Sequence, residues 1–254
     1  MRKLILTVLA ALSVAGVSQT ALAHEGPALQ KPGFSFEGVF GHYDQAALKR
    51  GFQVFHEVCS NCHGMRLVAY RNLKEIGLTE DEAKAVAAER QIQDGPNDEG
   101  AMFMRPGRLS DHYIPPFAND NAARANNNGA LPPDLSLIAK AREGGPNYVY
   151  SLLLGFDEAA PEGHTVPDGM FYNAYFPGGN IGMPPQIMDD LVTYADGTKA
   201  TKEQLAHDVV SLLNWAAEPE LDARKTLGLH VMIFLTVLTA LFYALKVQIW
   251  KDVH

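Results

Sequence analysis

Cysteine is almost absent from this 254-residue chain: there are two, Cys59 and Cys62, three positions apart. A disulfide framework therefore cannot hold the fold, and a four-cysteine metal site is excluded. Basic charge is also short, with 21 Lys and Arg against 29 Asp and Glu, a net charge of -8. A surface of that sign repels phosphates and argues against nucleic acid as a partner. It suits a basic protein partner approached by electrostatic steering. No internal repeat at solenoid or propeller periods is visible. The 47% apolar content is that of an ordinary globular chain.

Two long hydrophobic runs are present. The first residues, MRKLILTVLAALSVAGVSQTALA, place Arg2 and Lys3 before an apolar stretch that ends in the small-x-small site Ala21-Leu22-Ala23. That order predicts a secretory signal peptide over residues 1–23. Its removal takes the charge from -8 to -10, because it carries two cations and no acid. The second run, LGLHVMIFLTVLTALFYAL, has no Asp, Glu, Lys or Arg. At ~1.5 Å per residue it reaches about 28 Å, enough to cross a hydrocarbon core in contact with membrane lipid. An exported N-terminus and one stop-transfer helix would leave residues 24–225 outside the membrane. Residues 226–247 are then the span and 248–254 a cytoplasmic tail.

The exported part reads as mainly α, several helices joined by long loops. Asp44 caps a helix that runs to about Val58, with Leu48, Phe52 and Phe55 on one face. Thr79 and Glu82 form a capping box for a helix over residues 79–93. Residues 94–135 are loop-rich. Short helices follow over Leu135–Arg142 and about Asn147–Leu154, then another loop-rich stretch over 155–190. The last soluble helix starts from the Thr201/Gln204 box and has a Leu205, Val209, Leu212, Leu213 stripe. Pro219 ends it and begins a linker. Long loops are unusual unless functional, and wrapping a large flat cofactor is one such function.

The chemistry lies in Cys59-Ser60-Asn61-Cys62-His63. C-x-x-C-H is the attachment signature of haem c: two thiols add to vinyl groups on one porphyrin edge and the adjacent histidine points at the iron. A thioredoxin-like site would need a βαβ context, and a zinc site a second ligand pair; neither is visible. His63 needs an acceptor on its other ring nitrogen, for which a carbonyl of the Pro132-Pro133 turn is a candidate. The sixth ligand decides between gas or peroxide chemistry and electron transfer. Of Met102, Met104, Met170, Met183 and Met188, the pattern favours Met183, because Gly182 lets the backbone approach a ring and Pro184-Pro185 stiffen the loop.

The stretches EVCSNCHGM, MFMRPGRLSDHY, ANNNGALPPDLSLIAKAREGGPNYVYSLLLG, YFPGGNIGMPP and LLNWAAEPELDARKTLG, in this order and followed by one C-terminal anchor, resemble the cytochrome c1 family. These are the haem subunits of the ubiquinol–cytochrome c reductase (cytochrome bc1) complex. The resemblance implies a class I cytochrome c-like domain with enlarged loops. It implies thioether bonds at Cys59 and Cys62, with His63 and Met183 as axial ligands. Asn127, Pro133, Arg142, Tyr148 and Phe176 would surround the haem, with Arg142 facing a propionate. It further implies a dimeric complex with cytochrome b. There the chain takes an electron from a Rieske iron–sulfur protein and passes it to a soluble periplasmic cytochrome c, transforming no substrate itself; proton translocation belongs to the whole complex. Some bacterial relatives carry a cysteine pair in the loop before the methionine. Residues 155–182 here have none, so Phe156, Phe171, Tyr172, Tyr175 and Phe176 are expected to hold that loop by packing. Asp94, Asp98, Glu99, Asp157, Glu158 and Glu162 are candidates for steering a basic cytochrome.

Overall fold

The computed structural model describes residues 26–156 and 158–252. The expected signal peptide and Asp157 lie outside them. The fold is mainly helical, as expected. The helices are α1 (Gln45–Glu57), α2 (Glu80–Ala88), α3 (Asp120–Asn126), α4 (Ile138–Ala141), α5 (Gly145–Leu154), α6 (Lys202–Ala217) and α7 (Leu221–Trp250). Strands β1 (Met65–Ala69) and β4 (His112–Tyr113), β2 (Gln91–Asp94) and β3 (Phe103–Pro106), and β5 (Phe171–Tyr172) and β6 (Asn180–Ile181) form three antiparallel two-stranded sheets.

The core is α1 packed along α6. The stripe predicted on α1 is buried at Leu48, Phe52 and Phe55, and that on α6 at Leu205, Val209, Leu212 and Leu213. Each such side chain contributes roughly 1.5–3 kcal/mol of burial. The crossing is tight: a Cβ on Gly51 would lie 2.0 Å from the Asp208 carbonyl oxygen. Beside it, Arg50 donates from Nε to Asp208 Oδ2 (2.8 Å) and from Nη2 to Oδ1 (3.1 Å). Asp208 is fully buried. Burial alone would raise its carboxyl, but His207, Arg50 and Gln204 reverse that and hold it below the ordinary carboxylate value.

Caps occur where the sequence places them. Asp44 accepts from the Ala46 amide, and Thr79 and Glu82 form a reciprocal box. The helix expected over 79–93 nevertheless stops at Ala88. Cross-strand pairing wins over helical continuation, because Gln91–Asp94 zips onto Phe103–Pro106 and Arg105 bridges Asp94 and Asp111. The stretch 94–135 is also more structured than expected: Asn119 caps α3 by accepting from the Ala122 amide at 2.9 Å.

The linker expected at Pro219 is only Glu218–Glu220, and α7 begins at once. This 30-residue helix contains the predicted span and is long and apolar enough to cross a membrane, with a mean hydropathy of 2.0 over its most apolar window. Its first turn belongs to the soluble domain: Leu221 is buried, and Asp222 accepts from the Tyr43 amide. The helix long enough to cross a membrane thus grows directly out of the domain.

Candidate haem-attachment site

The site begins where α1 ends. Cys59–Asn61 form a 3-10 turn, with Cys62 donating to the Cys59 carbonyl (3.1 Å) and His63 to the same oxygen (2.9 Å). The motif therefore lies in a turn closing α1. Both intervening residues have work. Ser60 is buried, donates to the His56 carbonyl (2.7 Å) and accepts from Arg90 (2.8 Å). Asn61 donates to the Glu57 and Val58 carbonyls, closing the helix end. Behind the turn, His56 Nδ1 lies 2.6 Å from the Tyr113 hydroxyl, fixing α1 to β4.

Cys59 and Cys62 are half-buried and not joined to each other. Burial pushes the Cys59 thiol up to about 12. Two unpaired sulfurs on one short turn fit attachment to a single ring edge. They do not fit a dithiol that works as a thiolate at neutral pH.

His63 Nδ1 lies 2.7 Å from the Pro133 carbonyl oxygen. A carbonyl can only accept, so Nδ1 carries the proton and Nε2 keeps its lone pair. Burial also lowers the His63 pKa, although the Pro133 bond opposes the shift. A neutral ring with its orientation fixed and Nε2 available is what an axial ligand requires.

Three bonds hold the Pro132-Pro133 turn against His63. The Leu135 amide donates to the Gly64 carbonyl (2.8 Å), the Arg66 amide to Asp134 Oδ2 (2.9 Å), and the Leu67 amide to Ser136 Oγ (3.0 Å). Asp134 also accepts from the Ser136 amide (3.0 Å). Sequence reasoning missed Asp134 and Ser136, although Asp-x-Ser after two prolines is an Asx-turn signal. On the other flank, a Cβ on Gly64 would meet the Pro115 nitrogen at 2.7 Å, so the backbone there has no room for a side chain.

Met183 is half-buried and follows the β5–β6 hairpin. A Cβ on Gly182 would meet the Ala130 Cβ at 2.8 Å. Residues 130–136 therefore reach both Gly182, through Ala130, and His63, through Pro133. Asn127 is committed locally, donating to the Ala123 carbonyl (2.7 Å). Arg142 is exposed at the end of α4 and donates to the Ala141 carbonyl. Tyr148 is buried on α5, and Phe176 is half-buried in the β5–β6 connection.

The expected aromatic packing holds the loop before Met183 only in part, with Tyr172 edge-on to His164 at 5.2 Å. Tyr175 is buried, but Phe171 is exposed and Phe156, Tyr172 and Phe176 are only partly covered. Asn173, fully buried, also holds it: its Nδ2 donates to the Leu152 carbonyl (2.8 Å) and its Oδ1 accepts from the Tyr175 amide (3.0 Å). Asn180 adds a second tie, to His164 (2.9 Å) and the Thr165 carbonyl (3.2 Å). Among the acids considered for docking, Asp94 is paired with Arg105 and so is no free charge. Asp98, Glu99, Glu158 and Glu162 are exposed.

Comparison with known proteins agrees with this geometry. The Cytochrome C1 family matches residues 34–253. Cytochrome c1 of Rhodospirillum rubrum is 56% identical over 260 residues, covering 96% of each chain. A mitochondrial cytochrome c1 haem protein of Arabidopsis thaliana is 48% identical, over 91% of this chain and 76% of its own. The mitochondrial cytochrome b-c1 complex catalytic subunit of Candida albicans is 46% identical, over 95% and 83% respectively. Such relatives imply a haem cofactor and an electron-transfer role. With most of its length matched by the family and by full-length relatives, this chain belongs to the cytochrome c1 family.

Proposed function

We propose that the chain carries one covalent haem c and relays single electrons within a membrane quinol–cytochrome c reductase. The observation that carries this reading is the 2.7 Å bond from His63 Nδ1 to the Pro133 carbonyl, beside two free cysteines on the same turn. Cys59 and Cys62 would hold the haem through thioether bonds, and His63 Nε2 and Met183 Sδ would ligate its iron. When bound, the haem supplies a one-electron couple at its iron, at a higher potential with a methionine ligand than with a second histidine. Pro133 fixes the His63 ring, and Ala130 against Gly182 positions Met183. Arg142 would pair with a propionate as guanidinium to carboxylate, and Asn127, Tyr148 and Phe176 would complete the surroundings.

The donor is a Rieske iron–sulfur protein and the acceptor a soluble periplasmic cytochrome c. Cytochrome b is the membrane partner, a reading supported by a relative in Bradyrhizobium diazoefficiens named Cytochrome b/c1 and by the Candida name. The complex is a dimer. The signal peptide over residues 1–23 and the single span place residues 24–225 on the periplasmic face of the inner membrane.

The test is a reduced absorption spectrum with potentiometric titration of the parent and of Met183→Leu. The parent gives a low-spin c-type band at a clearly positive potential. The variant gives a lower potential and a spectrum that changes with carbon monoxide. A parent with a high-spin haem, or a variant identical to the parent, overturns the ligand assignment.

A further inference from the structure

The segment before α1 is tied to the membrane helix. Phe34 and Phe36 stack with centroids 5.0 Å apart, Phe34 packs on His207 at 5.0 Å, and Phe36 on Tyr43 at 5.4 Å. From this buried base the chain loops out and returns, closed by the His42 amide on the Ser35 carbonyl (3.0 Å). The loop is too tight for a side chain at Gly41, whose Cβ would lie 1.9 Å from the Glu37 carbonyl oxygen. Lys225, in the second turn of α7, places its ammonium among three loop carbonyls: Phe36 (2.7 Å), Gly38 (2.6 Å) and Gly41 (3.0 Å). All three donors of that ammonium are thereby used.

The tip between Gly38 and Gly41 is Val39-Phe40, 77% and 72% exposed. Single exposed apolar residues need no explanation. Here two adjacent ones are held out rigidly, by bonds to a residue only two positions before the apolar run begins at Leu227. That is about 3 Å along the helix axis. Leu227 and Leu229 are themselves exposed, so apolar surface is presented by the helix and by the loop beside it.

We propose that Val39 and Phe40 form a second membrane contact, seated in the interfacial layer of the bilayer where α7 enters it. The occupant is lipid: an aromatic and a branched aliphatic side chain suit the boundary between headgroups and acyl chains. The Lys225 ammonium, solvated by three carbonyl oxygens, holds the loop at that level. The domain is then fixed to the membrane at two points, which restrains its rotation about the helix.

This rests on α7 being a membrane span, and the experiment separates the two. Val39→Cys, Phe40→Cys, Glu99→Cys and Ile233→Cys are introduced singly into the full haem-loaded chain, whose own cysteines are consumed by the haem. Each is labelled with a bimane and reconstituted in vesicles of phosphatidylcholine and phosphatidylglycerol. Quenching is measured with aqueous iodide and with a lipid bearing a nitroxide near the headgroup. An unchanged haem spectrum confirms the fold of each variant. Labels at 39 and 40 are quenched several-fold more by the lipid nitroxide than the label at 99, and less by iodide. If the label at 233 sees lipid while those at 39 and 40 behave like that at 99, the proposal is overturned. If 233 also fails to see lipid, the span itself is wrong and the proposal falls with it. Labels at 39 and 40 that are shielded from both quenchers only when cytochrome b is present also overturn it, in favour of a protein contact.

Discussion

Replacing Arg50 by Met leaves Asp208 buried without its main partner. The Asp208 side chain has no exposure and that of Arg50 only 15%, so solvent screens the pair little. Two bonds of 2.8 and 3.1 Å are lost. What remains is the Gln204 amide at 2.9 Å and His207 Nδ1 at 3.7 Å. Breaking a buried pair from one side costs about 3–5 kcal/mol. The half-exposed Asp196, which Arg50 also contacts at 2.9 Å, adds little. For a domain of this size each kcal/mol moves the melting temperature by roughly 2–4 °C. The loss is thus on the order of 6–20 °C, read by near-UV circular dichroism and the haem band of the intact chain.

The double variant Arg50→Met/Asp208→Leu removes both charges and recovers most of that stability, because the cost lies in the unpaired carboxylate rather than in the absent bridge. The pH dependence has a definite sign. Asp208 is held below its ordinary value, so its contribution is complete above the unfolded pKa of ~3.9 and is lost as pH falls through the lower folded value. Without Arg50, one of the groups holding the carboxyl down is gone, so it protonates at higher pH than in the parent, and acid unfolding of Arg50→Met moves to higher pH. A loss under about 1 kcal/mol, or a double variant no more stable than the single, refutes this reasoning.

Asp134→Ala removes the acceptor of two amides and costs about 1–2 kcal/mol. Loosening the Pro133 carbonyl weakens electron donation through His63, so the midpoint potential rises; an unchanged titration curve contradicts the assigned role. Asn173→Ala leaves the Leu152 carbonyl with only the Gly155 amide at 3.3 Å and strands the Tyr175 amide. Hydrogen exchange should accelerate over the β5–β6 hairpin, with a larger fraction of carbon monoxide-reactive haem; exchange confined to residue 173 itself argues against the anchor. Electron transfer to a basic cytochrome should slow as added salt shortens the Debye length towards ~8 Å, and rates flat across that range remove the steering reading of Asp98, Glu99, Glu158 and Glu162.

What could be read from sequence was what depends on local order. Asp44, Thr79 and Thr201 each cap a helix one residue later, because a cap needs only its own first turn. The α1 and α6 stripes follow from a 3.6-residue period. The need for an acceptor on His63 follows from the rule that a ligand histidine has a partner on its other ring nitrogen, and the candidate Pro132-Pro133 turn supplies it through the Pro133 carbonyl. What was not legible depends on distant pairing. Nothing in QIQD announces a strand until Phe103–Pro106 is beside it. Asn173 looks like a loop residue, and only the Leu152 carbonyl 21 positions away makes it an anchor. Asp134 and Ser136 were overlooked because polar residues after a proline turn read as solvated.

The three-residue join between α6 and α7 has a mechanical consequence. Tyr43 accepts from Asn214 of α6 (2.8 Å) and donates to the Glu218 carbonyl (3.1 Å), and Arg224 of α7 reaches back to Glu218. A flexible tether would let a redox centre travel between donor and acceptor. This junction is a bracket, so the centre it carries stays at one height and one bearing. On the proposed function, a change of distance between redox centres would then come from the partners and not from this domain.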